Sequence, residues 1–162
     1  MKAPKVSPAR NGVSAARDAP SRKSSRRRSR EFALQGLYQW QLAGTDAATI
    51  ERQMSEAKGF DKIDRPYFSA LLAGSIREAQ HLEQSLQPHL DRKCAELSPV
   101  EHAILLIAAY ELANQPDVPY KVVINEAVEL AKSYGGTDGF KYVNGVLDKL
   151  AADARPQEFV RK

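Results

Sequence analysis

Seven consecutive apolar residues, at 103–109, constrain the fold of this 162-residue chain more than any other feature of its sequence. Just before them, Ser98 can cap a helix, Pro99 suits the first helical position, and Glu101 can reach back to complete a capping box. A helix that is apolar on every face has to be surrounded by other elements. We therefore expect this helix to end near Asn114 and to form the centre of the second half of the chain.

The other apolar residues recur at helical spacing, and no segment alternates with a period of two. The pattern predicts further helices at 31–42, 47–58, 64–86, about 120–134 and about 138–150. The fold class is therefore all-α, with about six to seven helices. Gly145 lies inside the last predicted helix, where glycine costs about 1 kcal/mol relative to alanine. We expect a neighbouring helix or a ligand to pack closely against it.

A polar connection at residues 88–97 separates two groups of predicted helices. We place a boundary there, between an N-terminal helical-bundle subdomain at 26–90 and a C-terminal one at 91–162. Residues 1–25 are rich in Ser, Ala, Pro and basic residues and contain no aromatic residue. Such a segment cannot bury enough apolar surface to offset the entropy of ordering. We expect it to be a disordered basic arm.

Charge is divided unevenly along the chain. Residues 1–30 hold ten Lys or Arg and one acidic residue, whereas the remaining 132 residues hold 14 basic and 19 acidic ones. The sequence pI of about 9.2 therefore reflects the N-terminus, and the rest of the chain is mildly acidic. A cationic segment on an acidic body indicates a polyanionic ligand, most often a nucleic acid. The alternative for residues 1–25 is a tail that only improves solubility.

An arginine cluster directly precedes the first predicted helix. Arginine forms charge-assisted and often bidentate hydrogen bonds with phosphates, and such binding weakens with salt. The cluster is a candidate RNA-binding site, and its members are Arg26, Arg27, Arg28 and Arg30.

A second candidate site is the helix junction at 134–142, where aromatic, basic and Gly residues are interleaved. Single-stranded RNA is bound by stacking of its bases on aromatic rings. The candidates here are Tyr134, Asp138, Lys141 and Tyr142. Tyr134 and Phe140 can equally be core residues, and Asp138, which can cap the last helix, would repel phosphate.

The sequence lacks the motifs of common enzymes and metal sites. It contains no Gly-rich phosphate loop with Lys-Ser/Thr, no G-x-S-x-G and no H-E-x-x-H. The only cysteine, Cys94, has no identifiable base to orient it, although nearby cations could lower its pKa. No run of about 18 apolar residues indicates a transmembrane helix, and the single cysteine suits a reducing, cytoplasmic setting. We expect no catalytic residue, no metal and no cofactor.

Four stretches of the sequence, in this order and at this spacing, form a specific combination. They are RRRSRE leading to LYQWQL at 26–42, YF with LLAG at 67–74, VPYKVVINEAVELAK at 118–132 and KYVNGVLD at 141–148. On these stretches the chain resembles, from about residue 26 to 152, the NusB family of bacterial transcription antitermination factors. The resemblance implies an all-α fold of two small helical subdomains and a role that is not enzymatic.

The resemblance also implies partners. NusB-like proteins bind the boxA segment of nascent RNA, notably in ribosomal RNA leaders. They do so together with NusE, a small-subunit ribosomal protein, and the pair helps RNA polymerase resist premature termination. The resemblance leaves open a homodimer in which the arginine surface would be masked.

The resemblance also assigns roles to individual residues by their positions in the matched stretches. Arg26 to Arg28 match the family's Arg-rich RNA-binding motif, and the second RNA-proximal surface is matched by Tyr134, Asp138, Lys141 and Tyr142. Tyr38 and Glu101 match positions on the side that faces NusE. From spacing alone, Tyr38 belongs to the apolar face of the first helix and Glu101 to the capping box.

Two other functions compete with this interpretation. NusB-like domains also occur fused to ribosomal RNA cytosine methyltransferases, but such an enzyme needs an α/β domain with a catalytic Cys, and this sequence has no strand pattern. The other alternative is a non-catalytic helical protein-interaction module with an incidental basic tail, which predicts no salt-dependent affinity for RNA.

Overall fold

The structure, a computed structural model, describes residues 21–136 and 138–159. This part of the chain forms α-helices and short 3₁₀ turns without any β-strand, so the all-α prediction is confirmed. The helices are α1 (Arg22–Ala43), α2 (Ala47–Met54), α3 (Arg65–Arg77), α4 (Ala79–Leu86), α5 (Pro99–Asn114), α6 (Tyr120–Tyr134), α7 (Gly139–Ala154) and α8 (Pro156–Phe159). None of the helices in the described ranges combines the length and the apolar character needed to cross a lipid bilayer.

Helix α1 begins earlier than the sequence pattern predicts. The Ser21 side chain accepts a hydrogen bond from the backbone N–H of Ser24 at 3.0 Å and so caps the helix. Lys and Arg are good helix formers, so the basic run continues the helix rather than interrupting it. The prediction of a disordered arm is therefore wrong for residues 22–25, and the rest of that arm, 1–20, lies outside the described residues.

The long helix predicted at 64–86 is two helices. Glu78 leaves helical geometry, with φ −103° and ψ 13°, and the chain bends there between α3 and α4. Both helices pack against α5, but α3 also packs against α1. The bend lets each half reach its own neighbours, which a straight helix would not allow.

Helix α5 is the central element, as its sequence predicts. Residues 103–109 are all buried, and α1, α3, α4, α6 and α7 surround the helix. The Ser98 side chain accepts a hydrogen bond from the Glu101 N–H at 3.1 Å, which confirms that cap. The Glu101 carboxylate lies beside Gly139, where a Cβ atom would come within 3.0 Å of Oε2. This places Glu101 at the beginning of α7 instead of in a closed capping box.

The hydrophobic core is continuous through the described part of the chain. Leu37 of α1 and Phe68 of α3 belong to the same buried cluster as Leu106 of α5 and Leu147 of α7. The connection predicted between subdomains is present as two 3₁₀ turns, Gln87–His89 and Cys94–Glu96. The division into subdomains at 90/91 stays a prediction.

Close packing of α3 on α5 supplies a first testable prediction. A Cβ atom on Gly74 would lie 2.3 Å from Cε1 of the buried Tyr110 ring. We expect Gly74→Ala to lower the free energy of unfolding by about 2 kcal/mol, because relieving the clash must move a packed ring or a helix. Urea unfolding would show a lower midpoint with an unchanged slope. Gly145→Ala in α7 is the matched control, since a Cβ there meets nothing within 4 Å. An unchanged midpoint for Gly74→Ala would contradict the prediction.

Candidate nucleic-acid interface

Arg30, one of the predicted RNA-binding residues, is buried. Its guanidinium donates to Glu111 of α5, with Nε 3.0 Å from Oε1 and Nη2 2.7 Å from Oε2. Tyr67 of α3 donates a further hydrogen bond to the same carboxylate. Only 4% of the Arg30 side chain is exposed. Its guanidinium is therefore not available to RNA, and we remove Arg30 from the candidate surface.

The protonation states of Arg30 and Tyr67 are fixed over the physiological pH range. Burial alone would lower the pKa of Arg30, but the hydrogen bond and charge of Glu111 raise it above its ordinary value. Burial and the charge of Glu111 also raise the pKa of Tyr67. The cluster thus forms a permanent link between α1, α3 and α5, and it sets the orientation of α1, which carries the remaining arginines.

The other three arginines differ in their exposure. Arg26 lies with its guanidinium 4.1 Å from the centre of the Tyr67 ring, and its Nε is 3.4 Å from Oδ2 of Asp64. Arg27 makes a bidentate contact with Glu126 of α6, at 3.0 and 2.8 Å, yet 45% of its side chain is exposed. Arg28 is exposed and makes no ion pair within the described ranges. Arg27 and Arg28 are therefore the arginines of the cluster most accessible to a phosphate.

The contact with Arg27 changes the ionisation of its partner. Burial by itself raises the pKa of Glu126, but the hydrogen bond from Arg27 and the charge of Arg30 hold it below its ordinary value. The same contact raises the pKa of Arg27. Glu126 is thus an anion at neutral pH, so a phosphate that binds Arg27 competes with a carboxylate.

The first turn of α1 adds two cations that the sequence prediction assigned to the arm. Arg22 and Lys23 line a groove of about 510 Å³ together with Arg26 and the exposed Val122 of α6. Arg22 also approaches Asp117, at 3.6 Å. The signal that could have located them is Ser21, a favourable N-cap directly before a run of helix-forming residues.

Tyr38 and Tyr134, which were predicted to contact different partners, line the same depression. They line an apolar depression of about 240 Å³ between α1, α6 and the first turn of α5, and each is 42% exposed. Tyr134 is therefore not a core residue. The structure brings a residue predicted to face NusE next to one predicted to face RNA.

Asp138 and Lys141 lie at the beginning of α7, close to Glu101. The Asp138 side chain makes no capping hydrogen bond, so the expectation that it caps the helix is wrong. It lies instead 3.7 Å from Nζ of Lys141, and both side chains are largely exposed. Two carboxylates, from Glu101 and Asp138, thus flank the N-terminus of α7, where the helix dipole favours negative charge.

Tyr142 is half-buried and held from two sides. Its hydroxyl donates to Oδ1 of Asp91 at 3.0 Å and accepts from the Asp91 N–H at 3.3 Å. The guanidinium of Arg92 lies 4.6 Å from the ring centre, and burial raises the pKa of the phenol. The ring is consequently fixed in position, with a cation beside it that the sequence analysis did not select.

Neither a cluster of metal-binding side chains nor a thiol with a lowered pKa is found in the described residues. No group of three or more His, Cys, Asp or Glu residues in the described ranges could hold a metal ion. Burial and the charge of Glu83 raise the pKa of the Cys94 thiol. The suggestion that nearby cations lower that pKa is wrong, because Arg92 is paired with Asp91 at 2.6 Å.

Comparisons with known proteins agree with this fold. The model of the NusB family matches residues 27–152 of the chain. The transcription antitermination protein NusB of Ralstonia nicotianae is 62% identical over 136 residues, covering 84% of this chain and 88% of that protein. The structure of T. maritima NusB has a TM-score of 0.73 at 27% identity, over 83% of this chain and 96% of that chain. A chain in the crystal structure of antitermination factors NusB and NusE in complex with dsRNA has a TM-score of 0.70 at 25% identity, over 78% of this chain and 96% of that chain. The chain belongs to the NusB family.

Proposed function

We propose that this protein is a transcription antitermination factor that binds boxA RNA of ribosomal RNA operons together with NusE and helps RNA polymerase resist termination. Its similarity to the Ralstonia NusB and to the NusB–NusE–RNA complex supports this role. We infer that it acts in the cytoplasm as a binding protein, without catalysis and without a cofactor.

The observation that carries the proposal is the exposed basic end of α1. Arg22, Lys23, Arg27 and Arg28 project from one end of a helix that the Arg30–Glu111 pair fixes to the core. Cations held on a rigid element attract a phosphate backbone through sequence-independent, salt-sensitive contacts. This end of α1 is the proposed RNA backbone site.

Base recognition falls to the aromatic residues farther along the surface. Tyr134 is exposed at the end of α6, and the ring of Tyr142 lies beside Arg92 in a depression that Lys141 also lines. Rings of this kind stack on unpaired bases. A regular A-form helix keeps its bases inside its own stack, where the rings cannot reach them. We therefore propose single-stranded boxA RNA as the ligand of this chain, although the related complex contains dsRNA.

NusE is proposed to bind at Tyr38 and Glu101. The apolar depression at Tyr38 offers buried contact area, and the nearby Glu101 carboxylate suits a basic partner such as a ribosomal protein. Because this depression also contains Tyr134, RNA and NusE would bind side by side. Each bound ligand would hold in place part of the surface that the other contacts.

A transcription assay tests the proposed function directly. A template with a boxA leader upstream of a terminator is transcribed by bacterial RNA polymerase with the other antitermination factors present. Adding this protein and NusE is expected to raise readthrough on the boxA template and not on a template with scrambled boxA. Equal readthrough on both templates would contradict the proposal.

Tyr142 supplies a prediction about base recognition. Tyr142→Ala should lower the ratio of affinities for boxA-like and scrambled RNA by about tenfold, because one stacked base is lost. Tyr142→Phe keeps the ring and should keep most of the ratio. Fluorescence anisotropy with both RNAs gives the ratio, and thermal unfolding shows whether each variant is folded. Equal losses on the two RNAs would contradict a role in discrimination.

A further inference from the structure

The middle of α7 presents an exposed glycine between two lysines. We propose that this face, formed by Lys141, Gly145 and Lys149, binds the phosphate backbone of the RNA segment whose base stacks on Tyr142. The inference rests on the proposed function and extends the RNA path beyond residues 138–142.

No described side chain or backbone packs against the position where Gly145 lacks a Cβ atom. Glycine inside a helix is destabilising relative to alanine, so its presence needs a reason. The expected neighbouring helix is absent from the described ranges, since a Cβ at 145 would meet no described atom within 4 Å. By contrast, a Cβ on Gly74 or Gly36 would collide with a core side chain. Gly145 is also not among the glycines with positive φ, which are Gly44 and Gly59.

The open space over Gly145 allows a ligand to approach the helix backbone closely. Lys141, Gly145 and Lys149 follow each other at i, i+4 and i+8 and therefore share one face of α7. They line a depression of about 280 Å³ with His89, Asp91 and Tyr142. The two lysines are about 12 Å apart along the helix axis, far enough to contact separate phosphates on either side of the glycine.

Charge favours a polyanion on this face. Two of the nearby acidic side chains already have partners, since Asp91 is held by Arg92 and Tyr142, and Asp153 lies 2.8 Å from His89. Lys149 is exposed and has no ion pair within the described ranges. Lys141 approaches Asp138 only at 3.7 Å in a solvent-exposed pair, which contributes little. Residues 1–20 carry four basic residues and one acidic one, so charge does not favour that segment as the occupant.

Gly145→Ala separates a role in the fold from a role in binding. The added methyl group has room and improves helix propensity, so the melting temperature should rise by about 3 °C. Affinity for a labelled boxA-like single-stranded RNA should nevertheless fall by about fivefold, because the phosphate backbone of the RNA can no longer reach the peptide backbone of α7. A fall in melting temperature would show that the fold needs the glycine and would overturn the proposal.

Lys149→Ala tests the charge component. Removing one phosphate contact should lower the slope of log affinity against log salt by about 0.7, the value for single strands. Lys58→Ala, at an exposed lysine in the turn after α2, is the matched control and should leave the slope unchanged. A slope that Lys149→Ala does not change would overturn the proposal.

The outcomes also separate this inference from the proposed function. If the unaltered protein prefers boxA-like to scrambled RNA but Gly145→Ala binds it equally well, only this inference fails. If Gly145→Ala weakens binding of NusE and not of RNA, the face belongs to a protein partner and the RNA assignment is overturned. If the unaltered protein does not bind RNA at all, both proposals fail.

Discussion

Replacing Arg30 by alanine is expected to lower the free energy of unfolding by about 3–5 kcal/mol, because it leaves a charged carboxylate buried without its partner. Glu111 is 1% exposed, and Arg30 supplies three of its hydrogen bonds. Tyr67 would remain as a donor, but a neutral hydroxyl cannot balance the charge. Arg30→Lys should restore only part of the loss, since an ammonium lacks the planar fork of the guanidinium.

Urea unfolding followed by circular dichroism measures this effect. Arg28→Ala is the matched control, because it removes an exposed arginine two residues away on the same helix. That variant should change stability by less than about 0.5 kcal/mol. Similar stabilities for Arg30→Ala and Arg28→Ala would mean that the buried pair does not hold α1 in place.

The double variant Arg27→Ala, Arg28→Ala is expected to weaken binding of single-stranded RNA by about tenfold and to lower its salt slope by about 1.4, which corresponds to two phosphate contacts. The loss should be similar for boxA-like and scrambled RNA, because phosphate contacts do not distinguish sequences. Anisotropy titrations at several salt concentrations measure both quantities. A large loss of affinity with an unchanged slope would contradict a phosphate role.

Arg27 needs a separate control because it also pairs with Glu126. Removing it leaves Glu126, only 5% exposed, with Arg30 at 3.7 Å as its remaining cation. Arg27→Ala should therefore also lower stability, whereas Arg28→Ala should not. The single variant Arg28→Ala thus isolates the RNA effect, with an expected fall in salt slope of about 0.7.

Periodicity predicted the central helix correctly but not the bend between α3 and α4. Residues 103–109 are apolar in every direction, so any helical arrangement had to surround them. The pattern at 64–86 continues through Glu78 at 3.6 spacing, and nothing local marks a break there. The bend depends on packing against two other helices, which sequence spacing does not encode.

The four arginines of the cluster have different environments in the structure, which the composition of the segment does not reveal. Grouping Arg26, Arg27, Arg28 and Arg30 as one basic patch treated them as equivalent. Helical spacing does separate them, since Arg30 is four residues before the buried Leu34 and Arg26 eight before it. Both therefore lie toward the apolar face of α1, whereas Arg28 does not. Their buried partners, Glu111 and Tyr67, come from distant segments and could not be identified without the fold.

One binding experiment tests the central claim most directly. Labelled boxA-like RNA and a scrambled control are titrated with the full chain, with and without NusE, across a series of salt concentrations. We expect tighter binding to boxA-like RNA, further strengthened by NusE, with affinity falling as salt rises. Weak binding that is equal on both RNAs and unaffected by NusE would contradict the account and would leave a helical protein-interaction module with a basic N-terminus.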